Sequence, residues 1–145
     1  MPDVHGVLET CLYAADLDAA VHFYGTVLGL DVFAREAGRH VFFRCGAGML
    51  LVFDAARTAS APGLVGGVPV PAHGAGGAGH VALAVAEAEL DAWRARLLAH
   101  GVAIEAELAW PRGGRSLYVR DPAGNSVELA PPRIWGLAAP GRPHA

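Results

Sequence analysis

Lysine is absent from this chain, and all 11 strongly basic side chains are arginines. With alanine and glycine abundant, the absence reads as a high-GC coding bias rather than a functional signature. Net charge is only -3 and no basic stripe is present, which argues against nucleic acid as a partner. Cysteine is nearly missing as well. Cys11 and Cys45 are too few for a disulfide framework and show no CxxC spacing, so they are expected as buried thiols. No apolar run approaches the ~20 residues that a bilayer-crossing helix needs. The N-terminus also lacks the basic-then-apolar order of a signal peptide. The expectation is a cytoplasmic protein with no membrane partner. What remains, 145 residues at 53% hydrophobic content, suits one compact domain with a real core.

Two stretches follow one plan. The first runs LETCLYAADLDAAVHFYGTVLGL (8–30) and then HVFFRCGAGMLLVF (40–53). The second runs GHVALAVAEAELDAWRARLLAHGV (79–102) and then SLYVRDPAGNSVEL (116–129). In each, an alternating strand leads into an amphipathic helix that ends at a glycine, and extended segments follow. Asp16 is the expected N-cap of the first helix, with Leu17, Val21, Tyr24 and Leu28 as its apolar stripe. In the second helix the stripe is Leu90, Trp93, Leu97 and Leu98. The later strands are expected near 32–35, 40–44 and 49–53, and near 103–106, 116–120 and 126–130. The order β-α-β-β-β occurs twice, which predicts an α+β fold.

The expected organisation is a single domain over 1–145. It has module one at about 7–54, a Gly/Pro/Ala-rich linker at 55–78, module two at about 79–130 and a frayed tail at 131–145.

Strand parity sorts the side chains that can carry chemistry. Opposite the helix-facing residues it places Glu9, Cys11, Tyr13, His40, Phe42, Arg44, Leu50 and Val52 in module one. In module two it places His80, Ala82, Ala84, Ser116, Tyr118, Arg120, Ser126 and Glu128 there. Setting Leu12 on Leu83 puts Glu9 opposite His80, and setting Arg44 on Arg120 puts Val52 opposite Glu128. Glu9, His80 and Glu128 make a facial set for a divalent cation, with donor types that suit Mn, Fe, Ni, Co or Zn. The alternative for each residue alone is structural: Glu128 paired with Arg44 or Arg120, and His80 satisfied within its strand. Arg112, Arg115 and Arg120, with Trp110 nearby, can hold a substrate carboxylate or phosphate, or else form a solvated loop. His5, His22, His73, His100 and His144 are read as surface residues, His40 as a spare imidazole, and Trp93 as core.

DLDAAVHFYGTVLGL, GHVALAV and YVRDPAGNSVEL together resemble the vicinal oxygen chelate superfamily, the glyoxalase, bleomycin-resistance and dioxygenase group, over about residues 7–130. The resemblance implies two βαβββ modules forming a cupped mixed sheet, usually in a homodimer whose clefts bind metal and a small-molecule substrate or drug. It places the metal-ligand positions at Glu9, Val52, His80 and Glu128. Valine cannot coordinate, so the four-ligand pattern of glyoxalase I is incomplete and Glu9, His80 and Glu128 remain. The function expected is a metal-dependent enzyme on a small oxygenated substrate (lyase, isomerase, thiol transferase or dioxygenase chemistry). In it Glu128 and Tyr118 act catalytically, and Arg120, Arg115, Trp110, Phe42 and Tyr13 contact substrate. The alternative is metal-independent sequestration of a compound, as in bleomycin-resistance proteins.

Overall fold

A computed structural model describes residues 1–61 and 63–139. The chain divides into two compact units at Gly77/Ala78.

Unit 1 opens with β1 (Glu9–Tyr13), then helix α1 (Leu17–Ala20), which runs on as a π-helical segment (Val21–Val27). The Asp16 carboxylate caps α1 by accepting from the Ala19 N–H at 2.9 Å. In the π segment Leu28 N–H reaches back to the Phe23 carbonyl. That wider turn changes the expected stripe, since Phe23 and Tyr24 both enter the core while Val21 stays half-buried. Strands β2 (Asp31–Glu36), β3 (His40–Cys45) and β4 (Gly48–Phe53) complete a four-stranded sheet ordered β1-β4-β3-β2, with β1 parallel to β4 and the other pairs antiparallel. Gly48 permits the close start of the parallel pair, because a Cβ there would lie 2.8 Å from the Leu8 carbonyl oxygen.

The stretch read from sequence as a linker, 55–78, carries elements of its own. Asp54 caps α2 (Ala55–Ser60), and β5 (Leu64–Val65) pairs with β6 (Val68–Pro69) as a hairpin.

Unit 2 repeats the plan with β7 (His80–Ala84), a 3₁₀ turn (Glu87–Glu89), α3 (Leu90–Ala99), β8 (Ala106–Ala109), β9 (Arg115–Arg120) and β10 (Ser126–Ala130), followed by a 3₁₀ turn at Pro132–Trp135. Its sheet is ordered β7-β10-β9-β8. Two expectations need correction. Leu98 is 48% exposed, because only Leu90 and Leu97, with Trp93 half-buried, lie on the inward face of α3. Strand β8 starts at Ala106, not Ala103. Gly101, in the left-handed region (φ 74°), terminates α3, and Val102 N–H bonds back to the Leu97 carbonyl, so contact with β9 begins only at Glu105, whose N–H donates to the Tyr118 carbonyl. Both sheets thus give the mixed α+β fold that the repeat predicts.

Each core lies between helix and sheet. Val41, Phe43, Leu50 and Val52 are fully buried in unit 1, and Leu97, Val119, Val127 and Leu129 are buried in unit 2. Val52 is therefore a helix-facing core residue, and Leu50 is another. The opposite face of β4 is carried by Leu51 and Phe53.

The ladders give the reason for the misplaced parity. Four residues (45–48) separate the Arg44–Met49 pair, whereas five (121–125) separate the Arg120–Ser126 pair. An alignment without gaps across these turns is off by one on the far strand. Glu128 faces Ala82 and Tyr118, and the corresponding residue between Cys11 and Phe42 is Leu51.

Two stability outcomes follow. Leu129→Ala should cost ~2–5 kcal/mol in urea unfolding. Glutamate at Val52 should abolish the cooperative transition, while glutamate at Leu51 should preserve it and the far-ultraviolet circular dichroism.

Candidate functional site

Two polar clusters occupy the helix-distal faces, one in each unit. In unit 1 the face reads across the strands as Glu9–Met49–Arg44, then Cys11–Leu51–Phe42, then Tyr13–Phe53–His40. A cavity of about 690 Å³ lies over it, lined by Glu9, Cys11, Tyr13, His40, Phe42 and His73 among others. Its walls are aromatic. His40 stacks on Phe42 at 4.0 Å between centroids, and Phe53 meets both edge-on. His73 was read as a surface residue, but it accompanies Tyr13 here, with 2.7 Å between Tyr13 Oη and His73 Nδ1. Its sequence setting of glycine and proline gave no sign of this, because the contact spans 60 residues.

Burial dominates the chemistry of this cavity. It holds the His40 imidazole below its ordinary value, with Arg39 adding to the effect and Glu36 opposing it. It raises the Tyr13 phenol, and it raises the Cys11 thiol with help from Glu9. Cys11 is therefore a poor thiolate donor despite being exposed, and Cys45 is half-buried with its thiol also raised by burial. Neither cysteine is the fully buried thiol expected.

In unit 2 the equivalent rows are His80–Ser126–Arg120 and Ala82–Glu128–Tyr118, with the small pair Ala84–Ala130 beyond. The DPAGN turn sets this register. Asp121 Oδ1 accepts from the Ala123 and Asn125 N–H groups at 3.0 and 2.8 Å, and Asn125 Nδ2 donates to Asp121 Oδ2 at 2.9 Å. Asn125 Oδ1 then accepts from Gly79 N–H at 2.8 Å, which ties the residue before His80 to the hairpin.

The result is a compact polar pair. His80 Nδ1 lies 3.1 Å from the Ser126 carbonyl oxygen. A carbonyl only accepts, so the ring proton sits on Nδ1 and the Nε2 lone pair points outward. Nε2 is 3.5 Å from Glu128 Oε2. Glu128 is 5% exposed, and its Oε1 accepts from Ser116 Oγ at 2.6 Å. Trp110 Nε1 donates to the same Ser116 oxygen at 2.6 Å. The Tyr118 phenol stands across the ladder from Glu128; burial first and that carboxylate second push its pKa up to about 12. Sequence parity had put Ser116 on this face without assigning it a part, since a lone serine in a strand carries no signature.

The arginines go elsewhere. Arg120 forks onto Glu105, with Nε 2.7 Å and Nη2 3.1 Å from its two carboxylate oxygens, and Arg115 reaches Asp91 at 3.1 Å. Arg120 keeps the helix-distal face that parity gave it, and a surface carboxylate occupies its fork. Arg44 lies over the Phe33 ring at 4.6 Å, and Arg120, held by Glu105, does not neutralise Glu128. His144 lies outside the described residues.

His80 and Glu128 fit a divalent ion as a two-donor half-site: an outward imidazole lone pair faces a carboxylate oxygen across a gap that one cation fills. Glu9 is the candidate donor in unit 1. Among the described residues, no group of three or more His, Cys, Asp and Glu side chains is gathered to hold an ion, and no helix is long and apolar enough to cross a membrane.

The family model for the Glyoxalase/Bleomycin resistance protein/Dioxygenase superfamily matches residues 6–129. Among solved structures, the chain is similar to a lactoylglutathione lyase from Agrobacterium tumefaciens, 42% identical, covering 94% of this chain and 100% of that one at a TM-score of 0.86. It is similar also to a glyoxalase/bleomycin resistance protein/dioxygenase from Nocardioides, 25% identical, with 99% and 93% covered and a TM-score of 0.67. An integron cassette protein from V. cholerae, 19% identical over 90% of this chain and 98% of its own, shares the fold at a TM-score of 0.66. No curated protein matches the chain.

The Tyr118 environment gives a pH outcome. Its folded pKa, about 12, lies above the ordinary 10.0, so the phenol form contributes stability that is complete below 10 and lost as pH rises through about 12. Ultraviolet titration of phenolate should show a component near pH 12 that is lost in Tyr118→Phe. In Glu128→Gln its midpoint should fall only part of the way to 10, because burial is the larger cause.

Proposed function

Since the chain belongs to the Glyoxalase/Bleomycin resistance protein/Dioxygenase superfamily, we propose that it is a metal-dependent enzyme acting on a small oxygenated substrate, with Glu9, His80 and Glu128 as the metal donors. The observation that carries this is the His80–Glu128 pair. With Nδ1 committed to the Ser126 carbonyl, two acceptor atoms face each other at 3.5 Å, an arrangement that only a proton or a cation between them makes favourable. A divalent ion bound there would polarise adjacent substrate oxygens and stabilise charge developing on them. The donor set admits Mn, Fe, Ni, Co or Zn.

The chain's own residues do the rest. Glu128 would take a proton from substrate through its Oε2 on giving up the cation. Tyr118, kept as a phenol through the neutral range, donates a hydrogen bond to a substrate oxygen and steers it. Phe42 and Tyr13, in the aromatic cavity of unit 1, receive the apolar body of the substrate. Arg115 and Arg120 would contact substrate only after releasing Asp91 and Glu105. The similarity to a lactoylglutathione lyase favours lyase or isomerase chemistry within this group. The apolar Leu51 opposite Glu128's position leaves a three-donor set, one fewer than glyoxalase I uses. The working form proposed is a cytoplasmic homodimer.

A second reading has its own support. The unit 1 cavity, with its stacked His40–Phe42 wall, suits sequestration of a planar compound without metal.

Calorimetric titration of the metal-stripped protein with Mn²⁺ and Co²⁺ separates the two readings. Chelation requires that His80→Ala and Glu128→Gln each lose more than the about 10–100-fold that outer-shell substitutions cost, and that Glu9→Gln weaken uptake too. Equal uptake by wild type and the His80→Ala/Glu128→Gln double variant would sink the metal reading. Compound binding that ignores chelators would then favour sequestration.

A further inference from the structure

We propose that Ser116 is a positioning residue for Glu128, with Trp110 fixing the direction of its hydroxyl. It commits one carboxylate oxygen and leaves the other beside His80. The site then takes a small divalent cation through a single carboxylate oxygen and discriminates against calcium. The cation choice rests on the chelation reading above; the grip of Ser116 on Glu128 does not.

The direction of the network follows from donor chemistry. An indole N–H donates and cannot accept. At 2.6 Å from Ser116 Oγ, it makes that oxygen an acceptor and leaves the single hydroxyl hydrogen for Glu128 Oε1, also at 2.6 Å. Reversal is excluded, because neither the indole nor a carboxylate can supply the opposite sense. Ser116 is fully buried and Glu128 nearly so, so water does not readily substitute for the hydroxyl. Tyr118 stands across the ladder from the same carboxylate. Glu128 is therefore held against rotation, with Oε2 facing His80 Nε2.

A carboxylate held this way suits one kind of ion. Calcium takes six to eight oxygen ligands and commonly grips a carboxylate through both oxygens, whereas smaller ions accept one oxygen and tighter geometry. Oε1 is already engaged, and His80 contributes nitrogen, which calcium disfavours. A hydroxyl that looks like core filler thereby becomes a determinant of metal choice. Its partner Trp110, read from sequence as a substrate contact, instead stands behind it.

Metal-stripped full-length protein titrated with Mn²⁺ and separately with Ca²⁺ tests this. Wild type should prefer Mn²⁺. Ser116→Ala should weaken Mn²⁺ about 10–100-fold and narrow the Mn²⁺/Ca²⁺ ratio, because the released carboxylate can offer both oxygens. Ser116→Thr, which keeps the hydroxyl, should restore both values, and Trp110→Phe should fall between. If Ser116→Ala misfolds, the Trp110→Phe and Ser116→Thr values decide. Mn²⁺ affinity and ratio within twofold of wild type in Ser116→Ala, or in Trp110→Phe where that stands in, would overturn the proposal.

A metal-free double-mutant cycle in urea pairs Ser116→Ala with Glu128→Gln. It should show coupling of about tenfold or more in the folding equilibrium. Strong coupling without metal uptake overturns the cation assignment and keeps the grip. Uptake that needs His80 and Glu128 but shows no coupling overturns the grip and leaves chelation standing.

Discussion

Asn125 holds two ends of the module-two sheet at once, and the polar face of that sheet depends on this. Its backbone and amide are bound to Asp121 within the turn, and its carbonyl oxygen accepts from Gly79, at the entrance to β7. Asp121 and Asn125 are buried, so the hydrogen bonds between them replace water rather than compete with it. With the turn fixed at that length, Ser126 falls opposite His80 and Glu128 opposite Ala82. A shift of one residue would send Glu128 into the apolar layer between sheet and α3, where a carboxylate has no partner. The histidine and the glutamate therefore come together because an aspartate, an asparagine and a glycine settle where two strands begin.

The two modules use equivalent positions differently. In module one the rows over the sheet end in Tyr13, Phe53 and His40, bulky rings that wall a cavity. In module two the same end carries Ala84 and Ala130, and the weight moves to Glu128 and its donors. One copy supplies an apolar lining and the other a pinned carboxylate.

The repeat, the α+β class, the Asp16 cap and the turn chemistry of DPAGN are local patterns, and they were legible in the sequence. The strand parity of Glu9, His80 and Glu128 was legible for the same reason, since alternation survives any twist of the sheet. Leu51 was not, because a one-residue difference in turn length is invisible until the ladder is seen. His73 and Ser116 were missed for another reason. Their partners lie 60 and 12 residues away, and neither side chain announces itself by type. The arginines misled in the opposite sense. They are typical anion binders that found carboxylates on their own surface.

The anchors of His80 and Glu128 differ in kind, and this bears on how such a chain can drift. The imidazole is oriented by a main-chain carbonyl, which any residue at position 126 other than one that breaks the strand would provide. The carboxylate is oriented by a hydroxyl and the indole behind it, each of which a single codon change removes. One donor is thus buffered against substitution while the other can be retuned in small steps. A lineage carrying this module could alter the strength and selectivity of its polar pair at Trp110 or Ser116 and leave the histidine as it stands.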